Sequence, residues 1–240
     1  MGIDSNIDVA KRDTTGRWLL VSLVLSLLVL PLFEGLRVGR ALLLVGYSLT
    51  FVVGAIAAGT KLRISAVWIS AVRIGAVVLL VMALPISWAT LFVDSTSLFV
   101  VHCLLGSVFF WLVGGVIVFF VIKTRVITFD SVLNAISAYL LFGLAWAFSY
   151  WAIHIVSPDS FSIPGGVATG GADGSKIIEF SPFAYYSFVT MTTLGFGDFT
   201  PVGRITRTLS WMQSVVGQFY VAVMIAWLVS ALPRPGDEAK

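Results

Sequence analysis

Long apolar stretches alternate with short polar segments along this chain. A helix that spans a lipid bilayer needs about 20 mainly apolar residues. Six stretches approach or exceed that length and predict six transmembrane helices: Trp18–Phe33, Ala41–Ala58, Ala66–Ile86, Leu98–Ile122, Val132–Val156 and Ile205–Leu232. The segments before and after them, residues 1–17 and 233–240, are polar and predict short cytoplasmic tails.

One shorter apolar stretch lies between the fifth and sixth predicted spans. Residues 157–179 are rich in Gly, Ser, Asp and Pro and predict an exposed loop. A helix over residues 181–192 then follows, with Ser181 as the expected N-cap and Pro182 at the first helical position. This helix is too short to cross a bilayer and must lie within protein or beside a watery cavity. The pattern predicts an all-α membrane protein with six spans and one re-entrant helix.

Composition separates this chain from soluble proteins. It is 58% hydrophobic and 11% charged, whereas soluble domains carry roughly 25% charged residues. The net charge of +3 is small, and the basic residues lie mostly between apolar stretches, so no nucleic-acid surface is predicted. Cys103 is the only cysteine, which excludes an intrachain disulfide. Only Arg73 and His102 lie at membrane depth as candidate chemical groups, so no enzyme activity is predicted.

The basic residues also predict the orientation of the chain. With the N-terminus inside, nine Lys and Arg residues fall in inside segments and three in outside loops. The inside set is Lys11, Arg12, Arg17, Lys61, Arg63, Lys123, Arg125, Arg234 and Lys240, and the outside set is Arg37, Arg40 and Lys176. Basic residues favour the cytoplasmic side. Both termini are therefore expected to be cytoplasmic, with the re-entrant segment on the outer side.

The most informative motif follows the re-entrant helix, where residues 192–198 read Thr-Thr-Leu-Gly-Phe-Gly-Asp. Two glycines flank one aromatic residue, and a threonine precedes them. Because glycine adopts positive φ without a steric penalty, alternate peptide units can flip in such a string. Successive carbonyl oxygens and a threonine hydroxyl can then replace the water around a dehydrated cation.

This motif resembles the potassium-channel signature Thr-x-Gly-(Tyr/Phe)-Gly, matched by Thr193, Leu194, Gly195, Phe196 and Gly197. The resemblance continues through the preceding helix and through the last span, and covers about residues 132–232. It implies a bacterial two-helix pore domain over residues 126–232. Its parts would be an outer helix at 132–156, a turret at 157–180, a pore helix at 181–192, a filter at 193–198 and an inner helix at 205–232.

The resemblance also implies an assembly and a ligand. One chain carries one filter string, and potassium channels of this type use four, so a homotetramer in the bacterial inner membrane is expected. K⁺ ions would bind the carbonyl oxygens of Thr193, Leu194, Gly195 and Phe196, and no other cofactor is expected. The Thr193 hydroxyl would lie at the inner mouth. The remaining partners would be membrane lipids.

Four neighbouring residues are expected to support the filter. Thr192 would support the end of the pore helix. Asp198 would either concentrate cations or form a hydrogen bond behind the filter. Tyr185 and Tyr186 stand where the family has aromatic residues. Because Phe196 lacks the hydroxyl of the commoner Tyr, the sequence predicts fewer lateral restraints on the filter.

The last span carries the predicted gate. Gly217 lies where the family has a hinge glycine, although a glycine that permits close helix packing is an equal alternative. Gln218, Val221 and Ile225 recur at helical spacing and are expected to line the cavity. The two apolar residues would form a wall able to close by dewetting.

The first four predicted spans, within residues 18–125, have a voltage-sensor-like layout without its charges. Steep voltage sensing takes about 3–4 charges per subunit, whereas the fourth span, Leu98–Ile122, contains no Arg or Lys. Arg73 in the third span is expected either to reach the membrane surface or cap a neighbouring helix, or to regulate. His102 is expected either to sense pH or to be a hydrogen-bonded interface histidine.

The sequence thus predicts a potassium-selective channel that conducts passively and is not gated by a charged fourth helix. Two alternatives stay open. One is the pore-bearing subunit of a potassium transporter, although transporters tend to show internal repeats and none is visible in this chain. The other is a non-conducting regulatory subunit of another channel. The stimulus that opens the pore is not predicted.

Overall fold

The computed structural model describes residues 14–29, 44–50, 52–54, 56, 67–93, 95–123, 127–162 and 180–230. In this part of the chain the helices are α1 Thr14–Val29, α2 within Leu44–Gly54, α3 Val67–Ala89, α4 Thr96–Lys123, α5 Phe129–Val156, α6 Ser181–Met191 and α7 Arg204–Ser230. A short 3-10 helix at Pro158–Ser160 follows α5. Two short strands, β1 Phe161–Ser162 and β2 Thr200–Pro201, pair antiparallel. The tails at 1–13 and 231–240 lie outside the described residues.

Three helices, α4, α5 and α7, are long and apolar enough to cross a membrane. They confirm three of the six predicted spans as helices of spanning length and composition. The other three predicted spans contain shorter apolar helices in the described residues, at Gly16–Leu28, Leu44–Gly54 and Ile74–Ala89. Their crossing of the membrane stays a prediction.

Helix boundaries differ from the predictions where local capping was overlooked. The helix α5 begins at Phe129, three residues before the predicted Val132. Its N-cap is Thr128, whose side chain accepts from the Ser131 backbone N–H while the Ser131 side chain accepts from the Thr128 N–H. This reciprocal capping box satisfies two backbone donors at the helix start.

The predicted N-cap of α6 is wrong. Ser181 is the first residue of the helix, Phe180 occupies the cap position, and no side-chain cap is formed. The Phe180 ring is buried and packs against the rings of Tyr47, Phe148 and Trp151, with centroid distances of 4.6–5.6 Å. Aromatic packing onto α2 and α5, rather than a capping hydroxyl, therefore fixes the start of this short helix.

The helix α5 is the centre of the fold and packs against α1, α4, α6 and α7. Large apolar side chains fill the interfaces, and Tyr150, Phe109, Phe110 and Phe148 are fully buried. Polar contacts add directionality to this packing, because the buried Ser107 hydroxyl of α4 donates to the Ala145 carbonyl of α5 at 3.0 Å. The helices α1 and α4 thus pack directly against the segment that resembles a pore, and α3 packs against α4.

The N-terminal ends of α1 and α5 are joined. Arg17 Nε lies 2.7 Å from Asp130 Oδ1. One residue earlier, Gly16 lies against the amide of Asn134, and a Cβ there would lie 2.3 Å from Asn134 Oδ1. The two contacts hold the start of α1 on the first turn of α5.

The two strands tie the end of α5 to the segment before α7. The Ser160 carbonyl accepts from the backbone N–H groups of Val202 and Gly203, at 2.9 and 3.1 Å, and from the Thr206 hydroxyl at 3.0 Å. Ser160 and Phe161 are buried. The prediction that all of 157–179 is an exposed loop is therefore wrong at Ser160 and Phe161, whereas residues 157–159 are exposed as predicted and residues 163–179 lie outside the described residues.

Candidate functional site

The end of the short helix α6 sets the geometry of the motif. The Leu194 N–H donates to the Val189 carbonyl at 3.0 Å, and the Thr193 N–H donates to the Thr190 carbonyl at 3.1 Å. This pair of bonds is a Schellman motif, in which the residue after the cap adopts the left-handed conformation. Glycine normally occupies that position, but here it is Thr193, with a φ of 59°.

Left-handed residues then recur at every second position. Thr193, Gly195 and Gly197 have φ values of 59°, 56° and 78°. Alternation of this kind turns successive peptide carbonyls towards the same side of the chain, as in a ring of cation-binding carbonyls. The two glycines adopt it without a Cβ penalty, whereas Thr193 stores strain of about 1–3 kcal/mol. Strain of this size is typical of functional backbone segments held by their surroundings.

The side chains of this loop contact α6 on one side. The Phe196 ring stacks on Tyr185, with a centroid distance of 6.5 Å and an interplanar angle of 7°. The Tyr185 hydroxyl donates to Asp198 Oδ2 at 2.7 Å, and this hydrogen bond raises the pKa of Tyr185. The hydroxyl therefore stays protonated as a donor. A lateral hydrogen bond thus exists two residues beyond Phe196, at Asp198.

The predicted supporting residues occupy different places around α6. Thr192 is the C-cap, and its hydroxyl donates to the Phe188 carbonyl at 2.7 Å. Tyr186 is buried, and its hydroxyl lies 2.5 Å from Ser210 Oγ of α7. Its ring also packs against Phe199 at 4.9 Å. Tyr185 therefore contacts the motif, whereas Tyr186 lies between α6 and α7.

The buried face of α7 is mostly polar or small rather than apolar. Its residues recur at helical spacing as Thr206, Ser210, Gln213 and Gly217, and the apolar Met224 follows two turns later. Only Gly217 among them was predicted from the sequence as a functional residue. The signal was present, because small and polar residues at i, i+4, i+7 and i+11 within an apolar span mark a packed face.

Gly217 lies against the end of α6. A Cβ at this position would be 2.4 Å from the Met191 carbonyl oxygen and 2.9 Å from Met191 Cγ. No real Cβ makes such a contact with backbone. The Tyr139 hydroxyl of α5 reaches the same carbonyl at 3.3 Å. Close approach of α7 to the Met191 carbonyl therefore requires glycine here.

The residues predicted to line a cavity follow on the next turns of α7. Gln218 Nε2 lies 3.5 Å from the Thr193 hydroxyl, which joins the helix to the first residue of the motif. Val221 and Ile225 are exposed in a single chain, as is Gln218. The three residues form one uncovered face of α7 that starts beneath the motif.

The remaining candidate residues lie away from the motif. His102 is buried between α3, α4 and α5, with Nδ1 2.9 Å from the Ser87 hydroxyl and its ring against Phe148 and Trp151. This environment is that of the hydrogen-bonded interface histidine. Cys103 is a buried free thiol. Arg73 belongs to α3, and its side chain lies outside the described residues.

The C-terminal part of the chain matches a known protein family. Residues 135–233 match a family model described as an ion channel. The match spans nearly all of α5, the whole of α6, the motif and α7. Comparisons with curated proteins and with solved structures found no significant match. The family match supports an ion-channel function in a pore-loop arrangement and, together with the apolar helices, a membrane protein.

Proposed function

We propose that this chain is the subunit of a homotetrameric potassium-selective channel that conducts K⁺ passively across the bacterial inner membrane. The observation that carries the proposal is the backbone of the motif, where left-handed residues alternate at 193, 195 and 197. This backbone follows a re-entrant helix and lies within the segment that matches ion channels. It is the geometry that a row of cation-binding carbonyls needs.

In this proposal K⁺ binds the carbonyl oxygens of Thr193, Leu194, Gly195 and Phe196, and Gly197 completes the filter. Leu194 and Phe196 are 60% and 66% exposed in a single chain, although both are large and apolar. Exposed apolar side chains beside a strained backbone favour an assembly that covers them. Four copies around one axis would bury these side chains and present four carbonyls at each level.

Filter support is assigned to the residues that contact α6 and the loop. Thr192 closes the end of the pore helix, whose C-terminal partial negative charge favours a cation. Tyr185 and Asp198 hold the outer end of the filter through their hydrogen bond. Tyr186 anchors the pore helix to the inner helix.

The inner helix supplies the cavity and the gate. Gln218, Val221 and Ile225 would line the cavity below Thr193, where apolar side chains can close a pore by dewetting. Gly217 serves as a packing glycine or a hinge, and its contact with Met191 favours packing. The absence of Arg and Lys from the fourth predicted span argues against steep gating by that helix. The charge pattern predicts that both termini are cytoplasmic.

Reconstitution in liposomes separates this proposal from its rivals. We expect K⁺ flux down its gradient that Na⁺ does not support and that Ba²⁺ blocks. A pore-bearing transporter subunit or a regulatory subunit would show no such flux alone. Absence of flux over a range of pH and voltage would contradict the channel proposal.

The Tyr185–Asp198 bond predicts a change in how long the filter stays open. Tyr185→Phe removes the donor and keeps the ring stacked on Phe196, so the outer filter loses a lateral restraint. We expect the K⁺ current to decay about two- to fivefold faster, as fits the loss of one hydrogen bond. The time course of current after opening measures it.

Tyr220→Phe is the matched control for this change. It removes a 2.6 Å hydrogen bond from another tyrosine, to the Ala135 carbonyl, away from the filter. Its decay should equal that of the wild type. An unchanged decay in Tyr185→Phe would show that this bond does not restrain the filter.

A further inference from the structure

Gln213 is the fully buried polar centre of the contact between α5, α6 and α7. Its side chain has a relative exposure of 0%, in a helix whose surface is largely exposed in a single chain. A buried amide without partners costs several kcal/mol, roughly. An apolar residue at position 213 would be compatible with the membrane environment without any hydrogen bond. The use of a glutamine there therefore needs an explanation of its own.

Each polar atom of this amide has a partner on a different helix. Gln213 Nε2 donates to the carbonyl of Ser187 at 3.0 Å and to the Ser187 hydroxyl at 2.8 Å. Gln213 Oε1 accepts from the Tyr150 hydroxyl at 2.8 Å. The Ser187 hydroxyl in turn donates to the Gly143 carbonyl at 2.6 Å. The donors form one directed chain, from Tyr150 through Gln213 and Ser187 to Gly143.

This chain fixes the pore helix against both neighbours. Gly143 and Tyr150 belong to α5, Ser187 to α6 and Gln213 to α7. Because the Gln213 Nε2 group can only donate, a rotation or a shift of α6 by one residue would move both Ser187 acceptors away and leave its N–H groups unpaired. A purely apolar contact would tolerate such a shift, since it has no direction.

The position of α6 decides the position of the filter. Ser187 lies one and a half turns before Thr193, and no flexible segment separates them, because the Schellman bonds join α6 directly to Thr193 and Leu194. We propose that Gln213 is a positioning residue for ion discrimination. It holds α6 at the depth and rotation at which the carbonyls at 193–196 fit K⁺. The inference rests on the proposed channel function and adds to it the residue that sets the selectivity.

The test compares permeability ratios rather than current size. Gln213→Leu keeps the side-chain volume and removes both donors and the acceptor. From reversal potentials between K⁺ and Na⁺ in planar bilayers, we expect the Na⁺-to-K⁺ permeability ratio to rise about tenfold, which is about 1.4 kcal/mol of discrimination. Tyr150→Phe removes only one bond of the chain and should raise the ratio less.

Ser107→Ala provides the matched control. It removes a buried hydroxyl that bonds between α4 and α5, so it lowers thermal stability without touching α6. Its permeability ratio should equal that of the wild type. A general loss of packing would raise the permeability ratio in Ser107→Ala as well as in Gln213→Leu. A positioning role raises the ratio only in the Gln213 and Tyr150 variants.

The possible outcomes distinguish the role of Gln213 from the proposed channel function on which it rests. A wild-type protein without K⁺ selectivity would contradict the proposed function. A selective wild type with an unchanged ratio in assembled Gln213→Leu would contradict only the role of Gln213. Should Gln213→Leu fail to assemble, Tyr150→Phe and Ser187→Ala decide, and an unchanged ratio in both would overturn the inference.

Discussion

Gly195→Ala should abolish K⁺ conduction. The backbone of Gly195 has a φ of 56°, and a Cβ there would meet nothing within 4 Å in the chain. The penalty is therefore conformational rather than a clash. A left-handed alanine costs about 1–2 kcal/mol, and in a homotetramer it would arise four times in one ring of carbonyls. Relaxation to negative φ would turn a carbonyl away from the ion path.

Gly115→Ala is the control, because it also adds a Cβ to open space. Gly115 lies inside the helix α4, where alanine is favoured over glycine by roughly 0.5–1 kcal/mol. Flux of K⁺ into liposomes, at equal amounts of assembled protein, compares the two. Wild-type flux in Gly195→Ala would mean that the left-handed backbone is not needed for conduction.

Gly217→Ala should lower the stability of the protein and its conduction together. The added Cβ would lie 2.4 Å from the Met191 carbonyl oxygen, so α7 must move away from the end of α6. Overpacking of this kind costs about 1–3 kcal/mol. Thermal denaturation in detergent and K⁺ flux in liposomes measure the two effects.

The same variant separates the two roles open for Gly217. A hinge would lose conduction but gain stability, since alanine stiffens the helix. A packing glycine loses both. Gly75→Ala in α3 is the control, because its Cβ would meet only Leu112 at an ordinary 3.9 Å. A more stable Gly217→Ala protein would contradict the packing role.

Periodicity and turn chemistry predicted the main helices near the filter with small errors. The span at 132–156 begins at Phe129, the short helix at 181–192 ends at Met191, and the last span begins at Arg204. These elements are long apolar runs or are bounded by Pro and Gly, so their signals are local. The start of α6 at Ser181 was predicted, but its N-cap was not, because a distant aromatic cluster around Phe180 replaces the expected capping side chain.

Glycine chemistry predicted only part of the filter backbone. The glycines at 195 and 197 have the expected positive φ. Thr193 shares it although threonine disfavours it, because the Schellman bonds at the end of α6 impose it. The intrinsic backbone preference of threonine does not predict a positive φ at Thr193, since the end of α6 causes it.

The partners of the buried polar residues could not be predicted from the sequence either. Gln213 bonds to Ser187 and Tyr150, which lie 26 and 63 residues away along the chain. A Gln in an apolar span indicates a polar contact but not its partner. The same holds for Tyr185, because only the folded loop brings Asp198 within 2.7 Å of its hydroxyl.

The most direct test of the central claim is the reversal potential of the purified protein in a planar bilayer, with K⁺ on one side and Na⁺ on the other. A filter of alternating left-handed residues predicts a permeability for K⁺ at least about tenfold that for Na⁺, which is about 59 mV for a monovalent ion. Ba²⁺ should block this current. A reversal potential near zero, or no current under any condition of pH and voltage, would contradict a potassium-selective pore.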